Sequence, residues 1–205
     1  MNKKTFDFLP MPGRPEKPRT NGLTMVIDTG LGYGYMEDLL TICADYIDLW
    51  KLGWATTQLQ PLNIVKKKID LLRAQNISVS NGGTLLELSE HQGKARQFFK
   101  ELKEIGCDAT EISNGSIDIK PERVCELVSM AKEFDLIVYC EVGKKTPSMD
   151  MDIAEYTFEI HEYLKAGAEK VIIEARESGA NVGVMDDDGN PKTDDINEIL
   201  KGINV

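Results

Sequence analysis

Residues able to do chemistry gather at the ends of apolar runs in this sequence. The clearest case is Leu136 to Lys145, LIVYCEVGKK, where a strand-length apolar run leads into Glu141, Gly143 and the adjacent ammonium groups of Lys144 and Lys145. A core has no use for such an ending, whereas the carboxyl edge of a parallel sheet is where α/β folds bind ligands. The pattern recurs. Leu23 to Asp28 closes on a carboxylate followed by Thr29-Gly30, Tyr46 to Lys51 closes on an ammonium followed by Leu52-Gly53, and Ile77 to Ser80 runs into Asn81-Gly82-Gly83. Asp108 to Ser113 ends with Glu111 and Ser113, and Lys170 to Glu174 is followed by Arg176 and Gly179. Six such ends on one side of a sheet describe a site, with Asp28, Lys51, Glu111, Ser113, Glu141, Lys144, Lys145, Glu174 and Arg176 as its candidates.

The elements that must position these residues alternate. Helical segments are expected near residues 35–44, 61–75, 92–104, 121–134, 151–165 and 193–201, one after each strand. Such alternation implies parallel strands with right-handed crossovers. No GxGxxG turn follows the first strand, which weakens a dinucleotide-binding open sheet. Polar groups at every strand end favour an α/β fold of the (β/α)8 TIM-type barrel class, where all loops converge on one site. Only about six βα units are present, so the expectation is a single barrel domain over residues 21–205 that lacks the last two strands. Residues 1–20 carry Pro10, Pro12, Pro15 and Pro18 with Arg14, Lys17 and Arg19, and read as an extended basic arm. The arm is either solvated or folded over a neighbouring subunit or the site. In the segment 61–75, Lys66, Lys67 and Lys68 read as a solvated face opposite Ile64, Ile69, Leu71 and Leu72. The Asp186-Asp187-Asp188-Gly189 run has Asn197 where a calcium loop needs glutamate, and reads as a solvent turn.

Composition narrows the function classes. A net charge of −10 argues against nucleic acid as the main partner, yet leaves room for a locally basic site that takes a small anion. The four cysteines show no CxxC spacing and read as reduced thiols, and two histidines leave little material for a histidine triad or zinc site. No stretch reaches the roughly 18 apolar residues of a membrane span. The amino terminus lacks an apolar signal core, so a cytosolic protein without membrane contact is expected.

Taken in order, the strand ends resemble the phosphosulfolactate synthase family. The matching segments are Lys17-Pro-Arg19, Gly22-Leu-Thr, DYIDLWKLGW from Asp45, GGTLLE from Gly82, EISNGS from Glu111, EVGKK from Glu141, AGAEKVIIEARESG from Ala166, and the DDDG turn. The resemblance implies a barrel enzyme, a lyase that adds sulfite to phosphoenolpyruvate with magnesium, giving 2-phospho-3-sulfolactate. Coenzyme M synthesis and sulfolactate formation are the settings it implies, with a homo-oligomer, a trimer being the expected count. Sulfite attack leaves an enediolate-like carboxylate that must be stabilised and protonated at carbon 2. The resemblance assigns that proton to Lys145, with Glu141 and Lys51 as further catalytic candidates. Arg176, Lys144, Ser113 and Asp28 are candidates for binding substrate, Lys51 and Arg176 for its phosphate or for sulfite, and a structural role competes at Asp28. Glu111, Glu141 and Glu174 end adjacent strands and could converge on one magnesium ion. Ala55 stands where the family has the second glycine of GWGT, at a position expected to require φ > 0, and Asn114 replaces a frequent aspartate. A non-catalytic interaction protein of the same family and a different enolising barrel lyase stay open as alternatives.

Overall fold

The computed structural model describes residues 5–10, 12–143, 152–174, 179 and 183–203. Lys144, Lys145 and Arg176 lie outside the described residues. Six strands, β1 (Met25–Asp28), β2 (Leu49–Leu52), β3 (Ser78–Asn81), β4 (Ala109–Ile112), β5 (Ile137–Val142) and β6 (Lys170–Ile173), form two parallel ladders, β1-β2-β3 and β4-β5-β6. Helices α1 (Tyr33–Cys43), α2 (Leu62–Ala74), α3 (Gly83–His91), α4 (Ala95–Glu104), α5 (Pro121–Lys132), α6 (Ile153–Ala166) and α7 (Thr193–Gly202) follow them. The alternation anticipated from sequence is therefore present over the described residues as six βα units in a parallel α/β arrangement.

Each strand sends alternate side chains to opposite faces. Trp50, Leu52, Val79, Ile112, Val138, Cys140 and Val142 face the helices and share one buried cluster with Met36, Ile69, Leu72, Phe99 and Leu127. The other face carries a small apolar layer in which Leu49, Ala109 and Tyr139 pack with Met25 and Ile172. Two residues further along each of these strands stand Ile27, Lys51, Glu111, Glu141 and Glu174, with Ser80 at the same height on β3 by its register against Lys51. A polar layer thus rests on an apolar one, as period-2 alternation requires.

The β3–β4 seam is held differently from the other strand junctions. Among the described residues it carries no backbone ladder; side chains stitch it instead. The Val79 N–H donates to Asp108 Oδ1 (2.7 Å), the Thr110 hydroxyl to Asn81 Oδ1 (2.8 Å), and the Gly83 N–H to Glu111 Oε1 (2.9 Å).

Four sequence expectations change in the structure. The stretch 84–88, expected as a connector, is part of α3, and the next helix starts at Ala95 rather than near Gln92. The cations of the arm are bound by the chain itself at the amino-terminal end of the strands, remote from their polar ends: Arg14 and Arg19 pair with Asp48 (3.1 and 2.7 Å) and Lys17 donates to the Ala44 carbonyl (2.8 Å). Ala55 has an ordinary φ of −114°, and the positive φ of this loop falls on Trp54 (50°), so the lost glycine costs no backbone strain. Lys68 does not join Lys66 and Lys67 on the solvated face. It is 1% exposed, and its ammonium meets Asp28 Oδ2 (2.6 Å), the Leu31 carbonyl (2.9 Å) and Gln60 Oε1 (3.2 Å). The Asp186 turn behaves as expected, its carboxylate accepting from the Asp188 and Asn190 amides (3.0 and 2.7 Å).

The Lys68 pair generates a stability prediction. Removing one member of a buried pair leaves an uncompensated charge and costs about 3–5 kcal/mol, so Lys68→Ala is expected to lower the urea midpoint strongly. Lys66→Ala, an exposed neighbour, should stay within about 0.5 kcal/mol. Equal urea midpoints for the two variants would show that the Asp28 contact does not hold the fold.

Candidate active site

The polar layer brings four of the candidate residues together. Lys51 Nζ lies 2.7 Å from Glu111 Oε2 and 3.8 Å from Glu141 Oε2, so the lysine of β2 reaches past β3 to carboxylates on β4 and β5. Glu174 completes the group: it shares a hydrogen bond with Glu141 and acts on both Glu141 and Lys51 through its charge. Glu111, Glu141 and Glu174 share one face of the strands, but the ladder sets Glu111 opposite Tyr139 and Glu141 opposite Ile172.

Charge decides how the group is protonated. Burial works against the Lys51 ammonium, but the charge and hydrogen bond of Glu111, with Glu141 and Glu174 behind it, outweigh that cost and raise its pKa. Lys51 stays cationic and is no general base. For Glu141, burial and then the charges of Glu111 and Glu174 oppose ionisation, Lys51 offsets them only in part, and the carboxyl is pushed up to about 8. Among the described residues, three acidic side chains stand around one ammonium. Glu141 is the one that keeps its proton.

This acidic group is also the test of whether a divalent cation fits. Among the described residues no group of three His, Cys, Asp or Glu side chains is placed to hold a metal ion. Magnesium, however, is usually held by one or two carboxylates and completes its shell with water and substrate oxygens. Two hard carboxyl groups in mutual contact, one of them Glu141 with its raised pKa, suit such an ion. Glu141 and Glu174 are the better-placed pair, because both Glu111 oxygens are engaged, one by Lys51 and one by the Gly83 amide.

Asp28 and Ser113 are not free to serve the site as binding groups. Asp28 accepts the Gly30 and Leu31 amides (both 2.7 Å) and pairs with Lys68, so its carboxylate shapes the turn after β1. The Ser113 hydroxyl gives its proton to Glu87, a buried carboxylate of α3 that also accepts the amides of Gly115 (3.2 Å), Ser116 (2.7 Å) and Ile117 (2.9 Å). Glu87 thereby ties the loop after β4 to the helix whose first amide holds Glu111. A side chain at Gly83 would collide with Ser113 Oγ, so this close approach needs the glycine. Sequence reading passed over Glu87 as part of a connector and Lys68 as part of a solvated helix face. The available signal was a charged side chain at an inward helical position beside a polar strand end.

A cavity of about 440 Å³ lies elsewhere, on the helix side of β2 and β3 between α2 and α4, with Leu52, Val65, Leu85, Phe98 and Leu102 in its wall. None of the four clustered residues lines it.

Comparison with known proteins follows the same direction. The family model of (2R)-phospho-3-sulfolactate synthase (ComA) matches residues 12–205. A phosphosulfolactate synthase from Methanothermobacter thermautotrophicus is 40% identical over 196 residues, 95% of this chain and 76% of the relative. One from Methanocaldococcus jannaschii is 39% identical over 204 residues, 98% of this chain and 79% of the relative. Among solved structures, 2,3-dimethylmalate lyase, a member of the PEP mutase/isocitrate lyase superfamily, aligns with a TM-score of 0.50 at 13% identity, covering 77% of this chain and 61% of that one. At that identity the likeness concerns the TIM-barrel type of fold alone, and a closed barrel is not formed by the six strands described here.

The raised Glu141 carboxyl predicts a pH dependence of stability with a definite sign. An unfolded glutamate loses its proton near 4.5 and the folded one near 8. Between those values the unfolded chain binds fewer protons, so stability falls as pH rises, by at most about 1.4 kcal/mol per pH unit. Glu141→Gln, followed by thermal unfolding from pH 5 to pH 8.5 in chelator, should show a flatter profile than the parent. Parallel profiles would mean that Glu141 ionises normally.

Proposed function

The chain belongs to the (2R)-phospho-3-sulfolactate synthase family and is a synthase of the lyase class; on that premise we propose that it adds sulfite to phosphoenolpyruvate at the Lys51–Glu111–Glu141–Glu174 layer. The sulfite sulfur attacks carbon 3, forming the C–S bond. The C=C electron pair moves towards carbon 2 and into the carboxylate as an enediolate, and a proton returns to carbon 2 to give 2-phospho-3-sulfolactate. The observation that carries this reading is a half-buried lysine at the end of β2 whose ammonium form is favoured by Glu111, Glu141 and Glu174 beside it.

Each residue then has a role fixed by its surroundings. Lys51 offers the anionic substrate a positive charge at the end of β2, in a layer where burial strengthens such attraction. Magnesium, held by Glu141 and Glu174 with Glu111 nearby, would supply charge stabilisation of the enediolate. Binding it requires the Glu141 proton to leave, so affinity should rise with pH up to about 8. Lys145 is the proton donor to carbon 2, and Lys144 and Arg176 bind substrate oxygens. These three are carried by the resemblance of EVGKK and EARESG. A cytosolic homo-oligomer belongs to the same reading.

Product formation from phosphoenolpyruvate and sulfite, followed by mass spectrometry with magnesium and with chelator, tests this directly. Turnover is expected with the metal and its loss in chelator. Lys145→Ala should reduce kcat by about 10²–10⁴, the usual worth of a placed general acid. A magnesium-loaded protein that makes no sulfonated product would refute the assignment, and full activity in Lys145→Ala would remove the proton donor.

A further inference from the structure

Ser80 is the one member of the polar layer that the proposed mechanism leaves without a task. It sits on β3 opposite Lys51 in the ladder register, fully buried. Its neighbours Val79 and Asn81 face the helices, where Val79 joins the main core and Asn81 bonds Thr110, so Ser80 faces the inner side with Lys51. Lys51 on β2 reaches Glu111 on β4, and the ion pair therefore passes over the strand that carries Ser80. Among the described residues the Ser80 hydroxyl has no hydrogen-bond partner.

A buried hydroxyl without a partner weakens a folded state, because its water contacts are lost and nothing replaces them. Alanine would fill the same space without that cost. Ser80 thus brings nothing to the free protein that its methylene does not already bring. Among the described residues, the other polar groups of the layer are the Lys51 ammonium, already paired, and three acidic side chains, of which Glu141 keeps a proton and shares a hydrogen bond with Glu174. The Ser80 O–H is the uncharged donor of the layer that no described group engages.

We infer that the Ser80 hydroxyl is a substrate-facing donor of this site, bonding an oxyanion oxygen of the substrate once that anion draws Lys51 from Glu111. The inference rests on the proposed function for the identity of the anion, a carboxylate or phosphate oxygen of phosphoenolpyruvate. It adds a contact whose geometry comes from β3 and not from the strand-end loops. A neutral hydroxyl suits the position: it turns its proton towards an incoming oxyanion without adding charge to the pair above it.

Ser80→Ala, with Ser78→Ala as its control, tests this. Ser78 is likewise unpartnered but lies one layer lower, opposite Leu49. For Ser80→Ala, the urea midpoint should be unchanged or raised, kcat/KM for phosphoenolpyruvate should fall about tenfold or more, and the rise in Tm on adding phosphoenolpyruvate should shrink. Ser78→Ala should keep parental kcat/KM. Parental turnover in Ser80→Ala overturns the assignment while leaving the synthase reading intact. A parent that is stabilised by phosphoenolpyruvate but makes no product, with the stabilisation reduced in Ser80→Ala, keeps the contact and defeats the synthase reading. No response of the parent to phosphoenolpyruvate by either measurement overturns both.

Discussion

The Lys51 ammonium, 2.7 Å from Glu111 and 3.8 Å from Glu141, sets the electrostatics of everything at the polar end of the strands. Among the described residues it is one cation beside three acidic side chains, and the three are not treated alike. Glu111 receives the closer ion-pair contact and a backbone amide. Glu141, buried and facing the charges of Glu111 and Glu174, keeps its proton up to about pH 8. Three residues of one type are thus distinguished by what each one touches.

Holding Glu111 in that role requires support from outside the layer. Its amide donor is the first residue of α3, and α3 is fixed to the loop after β4 by Glu87, which accepts three amides and the Ser113 hydroxyl. On the opposite flank, Asp28 and Lys68 tie the turn after β1 to α2, and the Trp50 indole donates to Asp28 as well (3.4 Å). These buried charged groups bind backbone and one another, so they set where the strand ends stand without reaching the reacting layer. Contacts of this kind give precision, because a carboxylate with three or four donors has little freedom to move.

How much of this could be read in the sequence follows from which periodicity carries it. Strand ends are legible because an apolar run of strand length that stops at a charge is rare in a core, and because alternation puts Lys51, Glu111, Glu141 and Glu174 on one face once the strands are parallel. Lys68 was illegible for the opposite reason. On a helix, three successive lysines look like solvent exposure, and only the charge of Asp28, forty residues earlier in the chain, makes the third one inward. Glu87 hides in the same way: its partners are amides of a loop, and amides leave no mark in a sequence. At Ala55 the resemblance located the right loop, yet the strained φ belongs to Trp54, a distinction that a pattern of residue types does not encode. The arm was ambiguous because its cations suit any acidic partner, and the acidic partner is Asp48 of the chain itself.

The height at which chemistry can occur is itself a packing result. Leu49, Ala109, Tyr139, Met25 and Ile172 fill the inner face one layer below the charges, and alternation forces the next inward residues to stand directly above that floor. Because the floor is apolar, charge above it is poorly screened from below, which is the burial that raises Glu141 and strengthens the hold of Lys51 on Glu111. Because the β3–β4 seam is stitched by side chains, one of them Glu111, the same carboxylate that pairs with Lys51 also joins two halves of the sheet. An anion that competes for Lys51 therefore acts on a residue whose other oxygen is fixed to the start of α3. Loss of the Lys51 contact would thus leave Glu111 moored by the Gly83 amide, with the unpartnered Ser80 hydroxyl on the strand between them.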